Sequence, residues 1–113
     1  MVGLVIVSHS ATLAQGVAEL VRGLPGPAVP LAVAGGLDLP DHPLGTDAFR
    51  VQSAIAQVCS EDGVLVLMDL GSAVLSAEMA REAFPPDQRA RIMLCEAPLV
   101  EGAVEHSSNR LAE

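Results

Sequence analysis

Four short apolar runs punctuate the chain, at roughly residues 3–8, 29–34, 63–68 and 91–95. They are continuous rather than alternating, as in Leu4-Val5-Ile6-Val7 and Val64-Leu65-Val66-Leu67-Met68. Such runs predict strands buried on both faces, because neither side of the pleat then meets water. Pro30 lies within the second run, and proline cannot donate to a ladder, so that strand is expected at an edge of the sheet.

Between the runs the apolar period changes to that of a helix. Leu13, Val17, Leu20, Val21 and Leu24 recur at spacings of three and four, with Ser10 or Thr12 available as N-cap. Thr46 or Asp47 caps a second helix striped by Val51, Ala54, Ile55 and Val58. A third opens at Ser72, carries Val74, Leu75 and Met79, and stops before Pro85-Pro86. A fourth, preceded by Glu96, has Pro98 in its first turn and runs through Val100, Ala103 and Val104. The order βαβαβαβα predicts an α/β fold: an open, mainly parallel four-stranded sheet with helices on both faces. With right-handed crossovers and the second strand at an edge, the simplest strand order is 2-1-3-4. A single domain over residues 1–113 is expected, since a second would have too little core. Residues 35–45 carry no period and form a long loop, of a kind usually functional or mobile.

Composition narrows the function classes. Half of the residues are apolar, yet no run approaches the ~20 residues that cross a bilayer. The apolar start at residues 2–7 has no basic flank and no small-residue cleavage site, so it reads as a first strand and not as a signal peptide. A soluble, cytoplasmic protein is expected. Cys59 and Cys95 sit in apolar stretches without CxxC spacing and read as buried reduced thiols. The net charge is −8, and all six cations are arginines. That balance argues against nucleic acid and anionic membranes as partners. It suits docking to a basic protein surface, and equally the solubility of an apolar domain.

In open α/β sheets the ligand site lies beyond the carboxyl ends of the strands, where the strand order reverses. In the order 2-1-3-4 the reversal falls between strand 1, ending in Ser8-His9-Ser10, and strand 3, ending in Asp69-Leu70-Gly71-Ser72. A carboxylate accepting from Nδ1–H would fix the imidazole tautomer and leave the Nε2 lone pair as a nucleophile. Ser10 precedes the first helix and Gly71-Ser72 opens the third, so two helix N-termini could hold a phosphate without lysine, metal or cofactor. Phosphoryl transfer needs in-line positioning and donors for the equatorial oxygens, and these parts suffice. Taken singly, His9 could be a hydrogen-bonded structural residue, and Asp69-Leu70-Gly71-Ser72 a turn and cap. Their convergence at the switch point favours chemistry. His42, in a proline-flanked loop, and His106, late on the last helix, read as solvated residues.

At four motifs in register the chain resembles a known family. Leu4–Ser10 (LVIVSHS), Gly45-Thr46-Asp47, residues 64–73 (VLVLMDLGSA) and residues 97–102 (APLVEG) are similar to enzyme IIA domains of the mannose class. More closely they resemble the branch that serves dihydroxyacetone kinase. The resemblance implies a phosphocarrier that accepts a phosphoryl group on a histidine from the protein HPr. It then passes the group to ADP held on the nucleotide-binding subunit of dihydroxyacetone kinase. The acceptor histidine maps to His9 and its orienting carboxylate to Asp69, while Gly71 and Ser72 map to the helix start that receives the phosphate. Homodimers are usual in the family. Members usually also continue beyond the point equivalent to Glu113, so the chain is expected to be a short form or a trimmed one. The stretch marked by Gly35, Gly36, Gly45, Thr46 and Asp47 is the candidate for partner docking or gating.

Four other readings are open to the same residues. A mannose-class IIA that donates to a IIB domain for sugar uptake would share His9 and Asp69, but Gly45-Thr46-Asp47 and Leu99-Val100-Glu101-Gly102 favour the kinase branch. Small tetrapyrrole metal chelatases use a strand-end histidine followed by glycine, where this chain has Ser10. A response-regulator receiver needs an acidic cluster after strand 1 and a lysine after its last strand, and neither is present. A P-loop kinase lacks its Gly-rich loop ending in Lys-Ser or Lys-Thr.

Overall fold

The computed structural model describes residues 2–25, 28–36, 47–69, 71–95 and 98–109. Four strands, β1 (Gly3–Ser8), β2 (Leu31–Gly35), β3 (Val64–Met68) and β4 (Ile92–Cys95), form one sheet in the order β2-β1-β3-β4. All three pairings are parallel, with Ser8 opposite Gly35 and Val7 opposite Met68. The helices are α1 (Ala11–Arg22), α2 (Ala48–Val58), α3 (Gly71–Glu82), α4 (Pro86–Arg89) and α5 (Leu99–Asn109). Among the described residues, no helix is long and apolar enough to cross a membrane.

The strands are continuous in sequence because each face of the pleat has its own core. Val5, Val7, Val66 and Met68 point to the side covered by α2 and α3, together with Ala32 and Ala34. Leu4, Ile6 and Leu67 point to the other, packed with α1 and α5. Every residue of β1 is buried, as a central strand clothed on both sides requires.

Several details depart from the sequence reading. Pro30 lies just before β2, where its carbonyl accepts from the Leu4 amide at 2.8 Å, so the edge position of β2 does not rest on a proline inside the strand. Gly35 ends β2 instead of opening the following loop. In α1 the buried face is Ala14, Val17, Ala18 and Val21, whereas Leu13 and Leu20 are exposed and Leu24 is half-buried. In α3 the buried residues are Ala73, Ser76, Ala77 and Ala80, with Val74 half-buried and Leu75 and Met79 exposed. Small side chains let these helices lie close to the sheet, and the leucine stripes, which satisfy the same spacing, turn outward. In α5 the core contacts are Leu99 and Ala103, and Val100 is exposed. Pro86 does not merely follow a helix but occupies the first turn of α4, an element absent from the reading. Cys59 and Cys95 are unpaired thiols, half-buried at the rims of the two cores and not fully enclosed. His106 is half-buried, with Nε2 3.3 Å from the Val2 carbonyl oxygen, instead of lying on the open surface. His42, Gly45 and Thr46 lie outside the described residues, as do Leu70, Glu96 and Ala97.

Candidate active site

The site is assembled where β1 and β3, neighbours in the middle of the sheet, deliver their last residues on the same side. His9 follows β1 and Asp69 follows β3, and Nδ1 of His9 lies 2.9 Å from Oδ1 of Asp69. An ionised carboxylate only accepts, so the proton of this contact sits on Nδ1 and the neutral ring carries its lone pair on Nε2. The backbone N–H of His9 donates to Oδ2 of the same carboxylate at 3.1 Å. The carboxylate is thus gripped by the main chain and the ring of one residue, which orients the imidazole. Both side chains are mostly enclosed but retain access, at 21% and 14% relative exposure for His9 and Asp69.

Sequence reasoning missed a third member. Ser8, fully buried, donates its hydroxyl to Asp69 Oδ2 at 2.7 Å and accepts from the Ser10 amide at 3.1 Å. The available signal was a polar residue closing an otherwise wholly apolar strand.

Two helices begin beside the pair. Ser10 is the N-cap of α1, in extended conformation, and its Oγ accepts from the Leu13 amide at 3.2 Å. Thr12, the other candidate cap, lies inside the helix. Gly71 and Ser72 are the first two residues of α3, two and three positions after Asp69. The first amides of a helix lack intrahelical partners and carry the positive end of its dipole. Neither α1 nor α3 has an acidic residue in its first turn to compete for an anion.

The glycines singled out in the sequence have a structural role at this end of the sheet. A Cβ on Gly35 would lie 3.1 Å from the Ser10 carbonyl oxygen and 3.2 Å from the Ala14 Cβ, so a bare backbone there lets β2 approach the start of α1. Gly36 has φ +72°, in the left-handed region, and its amide donates to the Ser8 carbonyl at 3.3 Å. Asp47 caps α2, accepting from the Phe49 amide at 2.8 Å, and so takes the place offered to Thr46 or Asp47. Beside Gly35, an open groove of about 430 Å³ runs between α1 and α2, lined by Ala11, Gln15, Phe49, Arg50 and Ser53. Arg50 donates from Nη1 to the Gly35 carbonyl at 3.2 Å. The groove adjoins the site without including His9 or Asp69.

A family model described as the PTS system fructose IIA component matches residues 3–113. The phosphoryl donor subunit DhaM of the PEP-dependent dihydroxyacetone kinase of Escherichia coli K12 is 52% identical over 105 residues. That alignment covers 92% of this chain and 22% of the relative, so the chain spans about a fifth of its length. The DhaM subunit of dihydroxyacetone kinase 2 of Listeria innocua is 35% identical over 103 residues, covering 91% of this chain and 81% of that one. A crystal structure described as that of a protein of unknown function, EF1359, superposes with a TM-score of 0.83 at 32% identity, covering 97% of this chain and 84% of that one.

Proposed function

The chain belongs to the mannose-class enzyme IIA family, described as the PTS system fructose IIA component, and from that premise we propose that it is a phosphocarrier working through His9. The observation that carries the proposal is the 2.9 Å contact between His9 Nδ1 and Asp69 Oδ1 at the switch point of the sheet. With Nδ1 protonated and held, Nε2 attacks phosphorus in line, and the bond from phosphorus to the donor breaks as the Nε2–P bond forms. The ring gains positive character in that step, and the Asp69 carboxylate stabilises it. In the onward step the Nε2–P bond breaks and the ring returns to its neutral tautomer. Backbone amides at the start of α1, beside Ser10, and at Gly71-Ser72 supply donors for the equatorial oxygens.

The partners follow from the family and its relatives. The donor is HPr, and the acceptor is ADP on the nucleotide-binding subunit of dihydroxyacetone kinase, in keeping with the relatives named as phosphoryl donor subunits of that kinase. The working compartment is the cytoplasm, where these partners act. The stretch marked by Gly35, Gly36, Gly45, Thr46 and Asp47 is the docking or gating segment, and of it Gly36 touches the site strand through its amide, which donates to the Ser8 carbonyl. The chain acts as a homodimer, and its most exposed large apolar side chains on α3 and the edge strand β4, Leu75, Met79 and Met93, offer a surface for a second copy. Glu78, Arg81 and Glu82 lie along the same surface, and charges of both signs suit a face that meets itself across a two-fold axis.

Incubation with phosphoenolpyruvate, enzyme I and HPr, followed by intact-mass measurement, tests the carrier role. Wild type gains one acid-labile phosphoryl group and His9→Ala gains none. Absence of the gain in wild type, with active donors, would make His9 structural or a metal ligand. Transfer from the phosphorylated chain to a IIB domain but not to the kinase subunit would overturn the choice of acceptor.

A further inference from the structure

Ser8 combines full burial with two hydrogen bonds that point in a defined direction. A hydroxyl has one proton and two lone pairs. The Ser10 amide donates into Ser8 Oγ at 3.1 Å, and the ionised carboxylate of Asp69, 2.7 Å away, can only accept. The Ser8 proton is therefore committed to Asp69. The relay reads Ser10 N–H to Ser8 Oγ, Ser8 O–H to Asp69 Oδ2, and Asp69 Oδ1 to His9 Nδ1–H.

The torsion that turns a carboxylate about its own axis is broad and roughly two-fold, so a carboxylate holds an orientation only when its oxygens are tied. Of the described donors to Oδ2, Ser8 makes the shorter contact, at 2.7 Å against 3.1 Å from the His9 amide. From these observations we propose that Ser8 is a positioning residue that keeps Asp69 turned with Oδ1 toward His9 and keeps the imidazole in its Nδ1–H tautomer. Through the Ser10 amide the same hydroxyl locks the N-cap of α1 in register with the ring. Nucleophile and phosphate-holding helix are thereby aligned by one buried atom. The inference rests on the phosphoryl-transfer reading of His9 for its consequence, though not for its geometry.

The test uses the whole chain with Ser8→Ala and Ser8→Cys, the second of which fills the space with a weak donor and preserves packing. Two quantities are measured: the rate of phosphoryl uptake from phosphorylated HPr, and the His9 tautomer from imidazole 15N chemical shifts. Wild type is predominantly Nδ1–H. Both variants shift toward Nε2–H and lose uptake rate roughly 10-fold or more, the size that outer hydrogen bonds to functional histidines have elsewhere. A fall in thermal stability with the tautomer and rate unchanged would reduce Ser8 to a structural residue and overturn the proposal. If Ser8→Ala does not fold, the same result in Ser8→Cys decides it. Should wild type fail to take up phosphate at all, the phosphocarrier reading fails, while the tautomer shift still tests Ser8 by itself.

Discussion

At the scale of single residues the site is a problem of one proton. In the proposed mechanism His9 has a nucleophilic Nε2 only while Nδ1 keeps its hydrogen, and the Asp69 carboxylate, 2.9 Å away, is the group that holds it there. An asparagine at 69 would retain the shape and one acceptor. Its carbonyl oxygen belongs opposite the Ser8 hydroxyl and the His9 amide, both donors, which turns its NH₂ toward Nδ1. The ring must then accept at Nδ1 and carry its proton on Nε2, the nitrogen that should attack. Asp69→Asn is accordingly expected to slow phosphoryl uptake by about 10²–10⁴-fold, while urea denaturation reports a stability loss of only about 1–2 kcal/mol. An unchanged uptake rate would remove Asp69 from the mechanism. His9 and Asp69 were legible in the sequence because each is a polar residue released at the end of an apolar strand. Ser8 carried a similar signal, a polar residue closing an apolar strand, but its role depends on where its hydroxyl points, and sequence carries no directions.

At the scale of elements the strands were legible and the helix faces were not. A strand buried on both sides has no choice of face, so continuous runs at β1 and β3 identify it directly. A helix has a choice, and in α1 two stripes satisfy the same spacing. Val17 and Val21 belong to both, but the sheet takes Ala14 and Ala18 as their companions and leaves Leu13 and Leu20 outside. At Gly35 the strand and helix lie so close that an added Cβ would sit 3.2 Å from the Ala14 Cβ, an approach that suits small side chains on this face. Hydropathy ranks leucine above alanine, whereas packing here ranks by volume. Thermal or urea denaturation would report the difference. Val17→Ala should cost about 1–3 kcal/mol, whereas Leu20→Ala should fall within about 0.5 kcal/mol of wild type. A larger loss at Leu20 would restore the leucine stripe as the core face. The four-residue α4 escaped notice for another reason. It is shorter than any apolar period, and its cohesion comes partly from Arg89, which donates to the carbonyl of Phe84, two residues beyond the preceding helix, at 3.0 Å.

At the scale of the molecule, a large net charge coexists with exposed apolar side chains. The chain is acidic overall, with net charge −8, yet Leu75, Met79 and Met93 stand 58%, 59% and 67% exposed on α3 and β4. A parallel sheet also leaves hydrogen-bonding groups along its outer strand, which invite unwanted pairing unless the edge is short, charged or covered. Here Arg81 Nε already donates to the Ile92 carbonyl at 3.0 Å, protecting one point of the β4 edge. With a second copy as the proposed occupant, Met79→Glu places like charges opposite one another and should convert a dimer to a monomer in light scattering, with His9 phosphorylation retained. Wild type running as a monomer at micromolar concentration would remove self-association from the proposal.

The ladder between β1 and β3 constrains time as well as distance. His9 and Asp69 each lie one residue beyond strands that pair Val7 with Met68 in the middle of the sheet, so the ladder itself sets the spacing of their backbones. In the proposed carrier the pair is therefore assembled before either partner arrives. On that reading, what a donor or acceptor must still bring is its own alignment with Nε2, since the histidine's orientation is already set.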